Sequence, residues 1–573
     1  MKRIIETSRS GSAYARKRAV TACQVCRARR TKCDQKKPRC SFCESTGAEC
    51  VSEPAGLSSF DPASIAILER LDGLDRKLDS IQREKITAET QTPANPSPVS
   101  NQDAISPTQI PLAENLLPGR LEAVLAWPIF QGSAFPLPTD RELLTPGPRL
   151  PIAPQPILGD ELNASATQEY LHIFFNHVHI KNPVLEEGYT RRLVRRISIE
   201  GPGWDAESCL ALLICANGAI ARPFGSASLS SEELRSSTGC ALFGAAQKRM
   251  GIILDSATIV EAQCLFFAGV YLMTCLRPYD AWRSFLQGLS ICQNFEFIRQ
   301  KSTTQAVADA GTTAEESIYW SCWKSERELR LELGLPDFGA ASSALTAPQR
   351  FPSLPFTDDD RMLRAWYFYL SEISLWRLEM EARTEITSCL SSRRHHRAQD
   401  TPDRLWDLLS DVGHIYSQQS VAWQDSLPPM VRISESTGGQ GETDILRFIL
   451  RGRKTYFNEL ITWPFIVHAV TQSDITPGSR EWVLKGVDAH LERLKINSPG
   501  FYHRHHGTWL MIRSSARSVC ILFAIARACG VGLFPVRWKK SVQDTVDMLH
   551  FWAPEVAGLE PVVILCQNWL SNL

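Results

Sequence analysis

Six cysteines between residues 23 and 50 constrain this chain more than anything else in it. They run Cys23-x2-Cys26-x6-Cys33-x6-Cys40-x2-Cys43-x6-Cys50. The unit C-x2-C-x6-C occurs twice, so the segment is a short internal repeat with approximate twofold character. Two separate tetrahedral zinc sites would need about eight metal–sulfur bonds. Six thiolates fall two short of that, so two sulfurs must each bridge both metals. The repeat points to the first Cys of each half, Cys23 and Cys40. Two divalent zinc ions and six thiolates leave the cluster at about −2. The interleaved Arg27, Arg29, Arg30, Lys32, Lys36, Lys37 and Arg39 offset that charge and still face outward.

Three other arrangements use the same cysteines differently. A single zinc on Cys23, Cys26, Cys40 and Cys43 follows ordinary C-x2-C logic, but leaves Cys33 and Cys50 idle at matching offsets. A disulfide knot belongs to secreted chains. The first ten residues, MKRIIETSRS, lack the apolar core of a secretory signal. A redox C-x2-C pair calls for a βαβ setting, which the flanking sequence does not supply. The other eleven of the 17 cysteines are scattered singly from Cys209 to Cys566 among apolar residues, where Cys is usually a small buried hydrophobe. The chain is therefore read as soluble and intracellular, with reduced thiols.

Net charge supports a division of the chain. Overall 62 Lys and Arg meet 62 Asp and Glu, which alone argues against nucleic acid. Residues 1–50, however, hold 13 basic and four acidic residues, a balance of +9, leaving −9 on the remaining 523. A basic head on an acidic body is a sign of a nucleic-acid-facing module on a larger carrier. Arg16-Lys17-Arg18 with the Arg27–Lys32 run also reads as a nuclear localisation signal.

Beyond a basic tail (1–20), the cysteine segment (21–53) and a short linker (54–63), residues 64–85 carry heptad spacing. Ile67, Leu71, Leu74, Leu78 and Ile81 alternate steps of four and three on one helix seam. Gly73 costs about 1 kcal/mol there, and the alternative is an amphipathic helix packed on the body. In a parallel pair Arg70 would face the partner's Asp75. Residues 86–160 hold 14 of the 34 prolines and read as an extended linker, interrupted by one apolar island, Leu121–Phe130, able to dock on the body. From 161 to 573 the pattern is helical. Thr313 with Glu316 reads as a capping-box start for a helix that Pro336 stops. Alternating β-branched runs are nearly absent, so this body is expected to be all-α. The apolar runs Cys264–Leu276 and Ser518–Ala526 fall short of the roughly 18–20 residues of a membrane span and read as buried helices, with no membrane partner.

At the cysteines, ACQVCRARRTKCDQKKPRCSFCESTGAECV resembles the fungal six-cysteine binuclear zinc-cluster transcription factors. The large body resembles their middle homology region through FFNHVHIKNPVL, CLFFAGVYLMTCLRPYDAW, YWSCWKSERELRLELGLP and WQDSLPP. The resemblance implies two zinc ions on Cys23, Cys26, Cys33, Cys40, Cys43 and Cys50. It implies a short helix in the DNA major groove reading a CGG triplet. Arg30 stands at the base-reading position, where relatives usually carry Lys, Arg29 precedes it, and Lys32 matches a phosphate-touching position. Pro38 matches the loop proline between the halves. A homodimer on paired half-sites, contact with the transcription machinery and a possible small-molecule effector follow in the same way.

Weaker signals are read blandly. Gly201-x-Gly203-x-x-Ala206 has no βαβ unit to make it a dinucleotide loop. His503-Arg504-His505-His506 reads as a solvated loop rather than a metal site, and Glu326–Glu332 as a solvated helix face with i,i+4 pairs. No catalytic motif stands out, so a nuclear regulator of RNA polymerase II transcription is expected rather than an enzyme, with secondary-metabolite gene clusters as the favoured targets. The alternatives are a metabolite-sensing regulator of nutrient use and an enzyme body fused to a zinc head.

Overall fold

A computed structural model describes residues 22–23, 25–26, 29, 31–50, 116–130, 162–226, 229–299, 310–337, 351–355, 357–395, 402–433, 442–472, 475 and 477–572. The chain divides into two compact units, residues 1–105 and 106–573. The heptad segment 64–85 lies outside the described residues. Among the described residues of the second unit there is no strand, and the body is all-α as its composition and periodicity require.

Local sequence explains most helix boundaries. Asn163 caps the Ala164–Ile173 helix by accepting from the Ala166 N–H at 2.9 Å. Asp205 does the same for Ala206–Ile220, accepting from Ser208 at 2.7 Å. Thr258 and Glu261 form a capping box at the start of Ile259–Thr274, and Pro278 occupies the first turn of Pro278–Cys292. Such caps satisfy backbone donors that a helix start leaves orphaned. The Ala310–Leu333 helix begins three residues before Thr313, so the expected cap lies inside it. It ends at Gly334, whose φ of +66° suits a residue with no Cβ.

Consecutive helices pack as neighbours. Ile259–Thr274 lies against Pro278–Cys292 and Ala206–Ile220, while Ile445–Gln472 lies against Pro477–Asn497 and Asp360–His395. One continuous apolar core runs through both groups, from Leu116 to Cys566. Gly218 marks its tightest crossing. A Cβ there would stand 2.2 Å from the Tyr170 carbonyl oxygen, a backbone atom with little room to retreat.

The two long apolar runs are buried helices, as read. One of them, Thr508–Cys529, is 22 residues long and by length and composition could cross a membrane. Its setting explains why it sits in a protein core instead, for it carries Arg513 and Arg517 inward. Arg513 grips Glu122 in bidentate fashion at 2.8 and 2.6 Å and donates to Glu332 at 2.7 Å. Arg517 reaches the other Glu332 oxygen at 2.7 Å, and Arg493 holds Glu459 at 2.7 Å. Burial alone would raise the Glu332 carboxyl, but Arg517 and Arg513 hold it below its ordinary value. Glu459 is lowered in the same way, chiefly by Arg493.

Two expectations change here. The Glu326–Glu332 stretch is not a solvated face. Glu326, Leu329 and Arg330 are buried, and Glu328 and Glu332 pair with Arg453, Arg513 and Arg517 of other helices. The 503–506 segment is not a solvated loop either, since His503, Arg504 and His505 are all buried. Arg504 donates to the Leu229 carbonyl at 2.8 Å and pairs with Glu555.

The apolar island of the proline-rich region is seated on this body. Leu121–Leu125 packs against Thr508–Cys529. Trp127 meets Trp463 at 5.8 Å between ring centroids, and Phe130 stacks on Trp569 at 4.7 Å. With Glu122 on Arg513, residues 116–130 form a strap held by aromatic contact and a buried ion pair.

Three outcomes are expected. Glu122→Ala leaves Arg513 short of a partner and should cost about 3 kcal/mol in denaturant unfolding of the full chain, with earlier proteolysis near the strap. Gly218→Ala should cost about 2–3 kcal/mol through forced displacement of a backbone neighbour. Because Glu332 titrates below its unfolded value, its contribution is complete above pH ~4.5 and lost as the pH falls through the lowered folded value. Glu332→Gln should therefore reduce stability at pH 7 and flatten the acid limb of the stability curve.

Candidate metal centre and nucleic-acid interface

Among the described residues, the repeat in sequence is matched by a repeat of local backbone turns. Each half turns into a short helical segment at its C-x2-C pair: Val25 and Cys26 in the first, Ser41–Thr46 in the second. The Thr31 N–H returns to the Cys26 carbonyl at 3.0 Å, and the Ala48 N–H to the Cys43 carbonyl at 3.0 Å. Those bonds are related by the 17-residue offset that relates the cysteines. Gly47 ends the second helix at a φ of +67°.

Between the halves, Asp34 closes the connection. It accepts from the Ser41 N–H at 2.9 Å and the Ser41 hydroxyl at 2.5 Å. Those hydrogen bonds, the hydroxyl's first, hold its carboxyl below the ordinary value. The Lys37–Pro38 peptide within this connection is cis. Asp34 follows the third cysteine and Ser41 follows the fourth, so the tie sets the spacing of the halves. Sequence reasoning missed it, although an Asp beside a ligand and a Ser at a helix start was the available sign.

This geometry gathers the thiols. The ligand atoms of Cys23, Cys26, Cys40 and Cys43 lie within 4.8 Å of one another, all buried. Sulfur–sulfur distances are 3.8 Å for Cys23–Cys40, 3.6 Å for Cys23–Cys43 and 3.6 Å for Cys26–Cys40. Four sulfurs around one zinc at bonds of about 2.3 Å stand roughly 3.8 Å apart, so the thiols already hold metal-sharing distances. Cys33 and Cys50 are half-buried at the margins of this group. Cys33 neighbours Cys26, while Cys50 neighbours Cys23, Cys40 and Cys43. The Cys50 sulfur also accepts from the Cys40 N–H at 3.4 Å.

The electrostatics follow the same symmetry. The backbone amide of Cys26 draws the Cys23 thiol below its ordinary value, and that of Cys43 does so for Cys40. Burial pushes Cys26 up to about 12 and raises Cys43 as well. Packed thiols of this kind give up their protons when a cation takes the sulfurs. Among the described residues no other group of His, Cys, Asp and Glu converges in this way. All seventeen cysteines are free thiols, which removes the disulfide reading.

Around the sulfurs the two halves differ in charge although their backbones match. Arg29 and Lys32 occupy first-half positions whose equivalents in the second half are Thr46 and Glu49. Arg29, Lys32, Lys36 and Lys37 are all exposed, and Lys36 approaches Asp34 at 3.9 Å. Arg27 and Arg30, also expected at a DNA surface, lie outside the described residues, as do Ile67, Leu71, Leu74, Leu78 and Ile81. Exposed cations beside a cysteine cluster of this kind are what a phosphate backbone recruits.

Known proteins agree with this geometry. Residues 21–56 match the fungal Zn(2)-Cys(6) binuclear cluster domain. The chain is 24% identical over 506 residues to the putative transcription factor ecdB of Aspergillus rugulosus, covering 84% of each protein. It is 39% identical over 62 residues, 11% of this chain and 17% of the relative, to the Zn(2)-C6 fungal-type transcription factor afumD of Aspergillus fumigatus. A repeat that brings its thiols to zinc-sharing distances, matched by the family model over residues 21–56, gives this chain a fungal Zn(2)-Cys(6) binuclear cluster domain at the head of a helical body that is similar to a protein named as a putative transcription factor.

Proposed function

We propose that the chain is a sequence-specific regulator of RNA polymerase II transcription that acts in the nucleus and reads CGG-type triplets through a head carrying two zinc ions. The observation that carries this reading is the shared position of Cys23 and Cys40. Each meets both sulfurs of the other half's C-x2-C pair and also neighbours the second sulfur of its own pair, as a bridging ligand must. Cys26 and Cys33 would complete one tetrahedral site, and Cys43 and Cys50 the other. The zinc supplies no chemistry beyond holding the fold. Reading falls to the polypeptide, with Arg30 addressing guanine O6 and N7, and Arg27, Arg29, Lys32, Lys36 and Lys37 placed on phosphates. Dimerisation through Ile67, Leu71, Leu74, Leu78 and Ile81 would set two heads on two half-sites, with the intervening residues fixing their separation. The family resemblance favours a pathway-specific role at a secondary-metabolite gene cluster. Both relatives carry the names of transcription factors, and the chain is not an enzyme.

Binding of the purified full chain to duplexes with single and paired CGG triplets tests this. Arg30→Ala should weaken binding to a single triplet by about 1–3 kcal/mol while sparing non-specific DNA. Lys36→Gln should lower affinity for all duplexes alike and reduce the log–log salt slope by about 0.9. Leu71→Lys with Leu74→Lys should abolish binding to paired sites and leave single-triplet binding unchanged. Equal affinity for CGG and scrambled duplexes would overturn the proposal, and unchanged paired-site binding in the double variant would remove the dimer.

A further inference from the structure

The helical body holds a cavity of about 200 Å³, lined by the strap at Pro118–Arg120, the His179–Lys181 turn and helices 310–333, 360–395, 445–472, 477–497 and 508–529. Four carboxylates face it, and each is already committed to a cation. Glu372 pairs with Lys324, Glu328 with Arg453 at 2.8 Å, Glu332 with Arg517 at 2.7 Å and Glu379 with Arg383 at 2.8 Å.

Three donors in the same wall are left over. Lys181 is 5% exposed and has no carboxylate partner among the described residues; burial alone shifts it, lowering its ammonium to about 7. Arg493 spends its Nε on Glu459 at 2.7 Å, but its Nη2 is buried with no acceptor. His505 accepts from the Gly507 N–H at its Nδ1 at 3.0 Å, which places its own proton on Nε2, and that atom is buried without a partner. Burial keeps this ring neutral, and the nearby Lys181 adds to the effect. All three residues are more than nine-tenths buried.

Buried donors without acceptors are uncommon in folded proteins, and a buried ammonium without a counter-charge is rarer still. Three such donors around one cavity, set against a single unpartnered acceptor, the Asn182 Oδ1, and with every facing carboxylate already paired, leave a site with a surplus of donors that suits an anion. We propose that the cavity binds a small organic anion, a carboxylate or a phosphate, held by Lys181, Arg493 and His505. Because Pro118–Arg120 forms one wall, such a ligand would also touch the strap that lies between the body and the head in sequence. The inference rests on the body alone and stands or falls separately from DNA reading.

Thermal unfolding of the full chain tests it, with citrate, malate and inorganic phosphate as probes and sodium chloride at matched ionic strength as blank. At least one probe should raise Tm by roughly 3 °C at about a hundredfold excess over its Kd. A shift with citrate or malate alone assigns a carboxylate ligand, and one with phosphate alone assigns a phosphate. Lys181→Met and Lys181→Gln should abolish the shift while their own Tm stays equal to or above that of the parent, because each removes an unpaired buried charge. No shift with any probe, or a shift retained in both variants, would overturn the proposal and leave ordered water as the occupant.

Discussion

Everything distinctive about the first unit depends on a shortage of sulfur. Two tetrahedral metals ask for about eight thiolate bonds, and the repeat supplies six cysteines. Sharing is the only way to close that gap, and sharing requires the two halves to meet face to face. The structure meets the requirement through small local devices. A helical turn at each C-x2-C pair points the sulfurs inward. An i to i−5 backbone bond repeats at the same offset in both halves. The Asp34–Ser41 tie fixes how the connection folds back. With so small an apolar core in the segment, metal and thiolate would stand in for hydrophobic burial. The symmetry stops at the surface, where basic residues of the first half face Thr46 and Glu49 at the equivalent places in the second.

The body solves a different problem. Its longest apolar helix carries arginines into the interior, where an unpaired charge would be prohibitive. Glu122, Glu332 and Glu459 come from three separate elements to meet them, Glu459 approaching Arg517 at 4.0 Å while it also holds Arg493. The ion pairs thereby specify which elements must adjoin, and they fasten the 116–130 strap to a helix nearly four hundred residues away in sequence. At the heart of that network the pairing is incomplete, and the surplus is cationic.

Much of this was legible in the sequence because it is written locally. Cysteine spacing named the metal chemistry, and the absence of alternating β-branched runs named an all-α body. The apolar stretch Leu121–Phe130 stood out from its proline-rich surroundings as something that had to dock. What could not be read was written non-locally. Glu326–Glu332 has the i,i+4 charge pattern of a solvated face, and one such pair does form, Glu326 with Arg330 at 3.0 Å. Its burial depends on arginines more than a hundred residues away. His503–His506 looks like a polar loop for the same reason, since the helices that cover it are not its neighbours in sequence. Thr313 and Glu316 fit the capping pattern, yet the helix starts at Ala310, so a cap worth about 1 kcal/mol does not by itself fix a boundary.

Two metals shared among six cysteines fix the metal content of the chain, which can be weighed. Native mass spectrometry of the zinc-purified full chain should show two zinc ions per polypeptide, falling together when either Cys23 or Cys40 is changed to Ala. One zinc per chain, or a second zinc that survives loss of both Cys23 and Cys40, would contradict a cluster built on bridging sulfurs.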